Sequence, residues 1–126
     1  MMNITDNNVP FEEIKKAFDL IKSLVGGDNG TYEDTMPEGC GEFGLDVTNP
    51  IPVDTIVGNR MYLERLQTTE GKKISYERIG QFQAPNIPSI IDGYRIFVKG
   101  KEITKLYICP YNKKNTERAP KGFKLV

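Results

Sequence analysis

Ile91-Asp92-Gly93-Tyr94-Arg95-Ile96-Phe97-Val98, then Lys99-Gly100-Lys101-Glu102, then Ile103-Thr104-Lys105-Leu106-Tyr107-Ile108-Cys109-Pro110-Tyr111 is the stretch that decides the fold. Two runs rich in β-branched and aromatic residues flank a short turn with a glycine in it, which spells a β-hairpin. A Gly100-Lys101 turn pairs Lys99 with Glu102 and Val98 with Ile103, setting opposite charges across the turn mouth. On that register Tyr94, Ile96, Val98, Ile103 and Tyr107 share one face, and Phe97, Leu106 and Ile108 share the other. A slip of one residue would reassign every side chain. The apolar character of both faces survives such a slip, and it places the hairpin inside a sheet covered at least in part on both sides.

Upstream, Arg60 to Thr68 and Lys73 to Ile79 alternate apolar and polar residues around Thr69-Glu70-Gly71-Lys72. They read as a second hairpin. Gln81 to Ser89 contains Pro85 and Pro88 and reads as a loop. Asn49-Pro50-Ile51-Pro52-Val53 is an extended connector, since its two prolines forbid a helix. It lies within the region from 28 to 59, which reads as a long acidic loop. Gly30, Gly39, Gly41 and Gly44 interrupt any period there, apart from a short alternation of Phe43, Leu45 and Val47 that fits a strand.

The N-terminal part brings a helix. Residues 1 to 8 read as a loose polar end. Asn8 to Pro10 then supply a start signal, followed by Glu12 and Glu13 at the positive end of the helix dipole. Phe11, Ile14, Phe18, Ile21 and Val25 make one apolar stripe that Gly26-Gly27 closes. The expected architecture is a single α+β domain over residues 1–126. Its N-terminal amphipathic helix packs on an antiparallel β-meander of about four strands.

Composition bounds the chemistry. A chain of 126 residues, 38% hydrophobic and 27% charged, suits one globular domain. No apolar run reaches the ~20 residues of a membrane helix, and no secretory leader is visible, so the expected location is the cytoplasm. Cys40 and Cys109 are expected as free thiols. There is no histidine, which removes the usual general base and the commonest transition-metal ligand. No phosphate-binding glycine loop precedes a helix. Asp28-Asn29-Gly30 has the opening of a calcium loop but no closing Glu at the required spacing. No cofactor and no metal are expected. Glu38-Gly39-Cys40-Gly41-Glu42 exposes a sulfur between carboxylates, and negative neighbours oppose the thiolate that a reactive cysteine needs. The residues lean away from an enzyme.

The net charge is zero, yet the charge is split along the chain. Acidic side chains predominate before residue 60 and basic ones after it. Two partner classes follow, beside the plainer reading that the two halves neutralise each other. An acidic loop with Glu33, Asp34, Glu38, Glu42 and Asp46 would bind a protein with a basic surface. Tyr111, Lys113, Lys114, Arg118 and Lys121 mix cations with an aromatic and form the alternative, a nucleic-acid surface. The first reading leads.

Asn49-Pro50-Ile51-Pro52-Val53 and Ala119-Pro120-Lys121-Gly122-Phe123 also carry a resemblance. With the strands between them they resemble small uncharacterised bacterial proteins that hold an Asn-Pro-Ile-Pro-Val segment and an Ala-Pro-x-Gly-Phe tail. The resemblance spans residues 49 to 126 at most. It implies a bacterial or phage source and brings no catalytic residue. The functional expectation is a protein–protein interaction protein, of the immunity type that neutralises a basic partner.

Overall fold

The computed structural model describes residues 32–126, so the expected helix over the Phe11 to Val25 stripe lies outside the described residues. Within them the protein is mostly β with one short helix. The elements are β1 (Ile51–Pro52), α1 (Thr55–Glu64), β2 (Leu66–Thr68), β3 (Ser75–Ala84), β4 (Ile87–Val98), β5 (Lys101–Cys109) and β6 (Phe123–Leu125). Four strands form a mixed sheet in the order β1-β5-β4-β3, and β2 pairs with β6 in a second, two-stranded sheet.

The meander β3-β4-β5 is antiparallel, but β1 joins it in parallel, with Ile51 opposite Ile108. The expectation of a purely antiparallel meander is thereby corrected. The proline-rich connector is itself the edge strand. Prolines suit an edge, where a missing N–H leaves no ladder bond unmade. Ile51 and Val53 are fully buried, and Val53 N donates to Cys109 O at 3.0 Å.

The central hairpin forms, with its register moved. Val98 faces Lys101 and Phe97 faces Glu102, so the turn is Lys99-Gly100, not Gly100-Lys101. Both turn residues have positive φ, 51° and 78°, as the hairpin turn whose twist matches its strands requires. Ile96 then faces Thr104, leaving Ile103 as a bulged extra residue that is largely exposed. The slip regroups the faces. Tyr94, Ile96, Leu106 and Ile108 share one core with Phe43, Ile51, Val53, Tyr62, Leu63, Leu66 and Phe123. Ile91 and Cys109 lie in the other with Ala84 and Ile87, joined by Phe82, Tyr107 and Tyr111. Both faces of the sheet are therefore covered in part.

Three further expectations are corrected. Thr55–Glu64, which overlaps the expected Arg60 strand, is a helix whose buried face is Gly58, Asn59, Tyr62 and Leu63. Its period is helical, but two members of the stripe are not hydrophobic. Gly58 is small of necessity, because a Cβ there would lie 2.6 Å from Asn115 Oδ1. Only Gln67↔Lys73 remains of the pairing between the two runs. The expected loop over Gln81 to Ser89 is mostly strand, with Pro85-Asn86 as a tight turn between β3 and β4. Pro88 is tolerated beside the irregularity between Phe82 and Ala84, near the start of β4. The alternation at Phe43 to Val47 makes turns rather than a strand, since Gly44 adopts φ 74°.

Candidate functional site

The acidic loop is a compact set of tight turns, here called the knot, held mostly by its own backbone. Cys40 N donates to Thr48 O at 3.0 Å, and Thr48 Oγ1 donates to Cys40 O at 2.6 Å. Asn49 Nδ2 donates to Gly41 O, and Gly44 N donates to Asn49 O at 2.7 Å. Leu45 N and Asp46 N both donate to Glu42 O, while Glu42 N donates to the Asp46 carboxylate at 2.8 Å. Buried backbone groups must find partners, and this segment finds them without a ladder.

The knot is fastened to the sheet at three points. Asn86, in the β3–β4 turn, donates through Nδ2 to Glu38 O and Thr48 O, each at 2.8 Å. Tyr107 N of β5 donates to Gly44 O at 2.9 Å. Phe43 is buried in the first core, and the Arg118 guanidinium lies 4.7 Å from its ring centre. Such a cation over an aromatic face is attracted by the ring quadrupole.

The proposed carboxylates divide by role. Asp34 is used within the fold. Its carboxylate pairs with Lys114 Nζ at 3.2 Å and accepts from Glu117 N and Thr116 Oγ1. The Glu117 backbone N–H, then Lys114, hold its carboxyl below the usual range. Glu33 is exposed, and its carbonyl accepts from Asn112 Nδ2. Glu38, Glu42 and Asp46 are exposed on the knot, with Cys40 exposed between them. Among the described residues no cation pairs with Glu38 or Glu42. Lys114–Asp34 is the one ion pair there that joins the acidic half to the basic half; the others lie within the second half.

Four of the five alternative nucleic-acid residues make contacts within the fold. Lys113 lies over the Tyr32 ring, Lys114 holds Asp34, and Arg118 covers Phe43. Tyr111 is half-buried against the second core and bridges Asp54. Lys121 is exposed in a turn.

One polar centre escaped the reading of the sequence. Asp92 is only 5% exposed, yet it is charged-paired with Arg78 at 2.8 Å and accepts from Asn59 Nδ2 at 2.8 Å. Asn59 Nδ2 also reaches the Tyr94 hydroxyl at 3.2 Å. An acid between Ile91 and Gly93 in an apolar strand was the available signal, because a buried carboxylate needs a partner. This centre ties α1 to β3 and β4. Among the described residues no cluster of carboxylates and cysteines could hold a metal ion. No family model, curated protein or solved structure matches the chain.

Proposed function

We propose that this is a binding protein of the cytoplasm that recognises a protein with a basic surface through the knot at residues 38–46. The reading is that of an immunity-type protein, which neutralises such a partner by covering its cationic face. One observation carries it: Glu38 and Glu42 stand exposed, with no cation among the described residues paired to them, on a loop that is already fastened to the sheet. A preorganised loop loses little freedom on binding. Its carboxylates steer a cationic partner and fix its orientation.

The test is capture of the partner from the source cell by the tagged chain and by Glu38→Gln/Glu42→Gln. Asp34 is left intact because it holds the loop's approach to residues 114–117. The parent chain is expected to retain a basic protein at low salt and release it as salt screens the contact. The variant is expected to bind that protein about tenfold or more weakly. An identical set of captured proteins from parent and variant would remove the knot from the reading.

A further inference from the structure

The two ends of the β3–β4 hairpin carry opposite charge. At one end Asn86 holds the acidic knot. At the other, the Lys99-Gly100 turn borders a cleft of about 410 Å³ lined by Lys72, Lys73, Ile74, Ser75, Val98, Lys99 and Gly100. Lys101 flanks this turn across from Val98, and Lys124 approaches Gly71. Lys72 is tied to Glu70 at 3.8 Å. No carboxylate among the described residues pairs with Lys73 or Lys99, and both are exposed. The cleft floor, Ile74 and Val98, is half-buried and apolar. β4 runs between the two ends for twelve residues, so at the usual strand rise of about 3.3 Å per residue they lie about 35 Å apart.

We infer that the lysine cleft is a docking surface for a second copy of this chain, whose acidic knot it receives end to end. Charge complementarity names the occupant. The knot presents Glu38, Glu42 and Asp46 beside small residues, and the cleft presents cations around an apolar floor. The chain's net charge is zero, so no overall repulsion keeps copies apart. The two surfaces are different and sit at opposite ends, so the contact is heterologous: each docked copy leaves one knot and one cleft open, and the assembly grows by addition. The contact uses the same knot as the proposed partner binding and competes with it. Self-association would keep the knot covered until a more basic partner displaces the neighbouring copy.

The experiment is sedimentation velocity on the full chain over a range of concentrations, at low and high salt. Lys73→Gln/Lys99→Gln removes cations from the cleft and leaves the knot whole. Glu38→Gln/Glu42→Gln does the reverse. All four side chains are exposed, and matching thermal melts establish that the variants are folded. The parent is expected to grow in mean mass with concentration at low salt and to return to monomer at high salt. Each variant alone is expected to associate about tenfold or more weakly. An equimolar mixture has one intact knot and one intact cleft per pair, so it is expected to give a dimer and nothing larger. A parent that stays monomeric at every concentration overturns the inference, as does a variant that associates like the parent or a mixture that forms no dimer. A short single-stranded oligonucleotide supplies the last arm. Tight binding that Lys73→Gln/Lys99→Gln abolishes, with the parent monomeric, would assign the cleft to phosphates instead. The lysine variant keeps its knot and should still capture the basic partner. A parent that captures the basic partner but stays monomeric at every concentration therefore sinks only this inference.

Discussion

Thr55 opens the helix with φ at +69°, a region that β-branched residues seldom enter. The residue is held there from both sides. Asp54 N donates to Asn115 Oδ1, and Asn115 Nδ2 returns to Gly58 O, so the chain must turn sharply between them. The left-handed conformation costs an L-residue about 1–2 kcal/mol, which glycine does not bear. Glycine's greater freedom in the unfolded chain takes back part of that gain. Thr55→Gly is therefore expected to stabilise the protein by about 0.5–1 kcal/mol in urea unfolding. A clear loss of stability would show that the threonine side chain supports the turn. Nothing in the residue string Asp54-Thr55-Ile56 announces this strain, because it arises from Asn115, some sixty positions away.

The knot at residues 38–46 depends on one backbone position. Gly44 combines φ 74° with a tight fit: a Cβ there would stand 2.8 Å from Ile51 Cδ1 and 2.9 Å from Pro120 Cγ. Gly44→Ala must displace the buried Ile51 side chain or the Pro120 ring, and it adds left-handed strain. The expected cost is about 2–4 kcal/mol in unfolding experiments, with faster proteolysis between Met36 and Asn49. A melting temperature equal to the parent's would show that the loop is not wedged in this way. The knot's irregularity could be read from its glycines. Its rigidity could not, since the side chains that fasten it, Asn49 and Asn86, carry no mark of that role. The central hairpin was legible for the opposite reason: Tyr94 to Val98 and Ile103 to Ile108 each signal strand without reference to anything distant. Its register was not, because Lys99-Gly100 and Gly100-Lys101 are both acceptable turn pairs on paper. The bulge at Ile103 also breaks the alternation that would have chosen between them. The helix Thr55–Glu64 was hidden by Gly58 and Asn59, which occupy core-facing positions where a pattern reader looks for leucine.

The whole molecule responds to alkali through groups spread over both faces of the sheet. Burial pushes the Cys109 thiol up to about 12 from an ordinary value near 9. Burial also raises the hydroxyls of Tyr62, Tyr94 and Tyr76. The unfolded chain releases these protons first, so above about pH 9 the native state holds more protons than the unfolded one and stability falls with pH. The urea midpoint is expected to hold level up to about pH 9 and then to drop steadily toward pH 12. A midpoint level throughout that window would mean that these groups stay solvated. At the acid end the sign reverses. Asp34 is held below its ordinary 3.8, so its contribution is present above that value and is lost as pH falls through the lowered one. The parallel pairing of β1 with β5, finally, puts the molecule's parts in a temporal order. A ribosome makes the knot and Ile51–Pro52 before it makes Ile108 and Cys109, and Leu66–Thr68 before Phe123–Leu125. The strands β3, β4 and β5 can pair as each emerges, each with the one made just before it. The earlier segments must wait, apolar and unpaired, for partners nearly sixty residues downstream. In a nascent chain the knot is thus made well before the strands that hold it and is among the last parts of the sheet region to take shape.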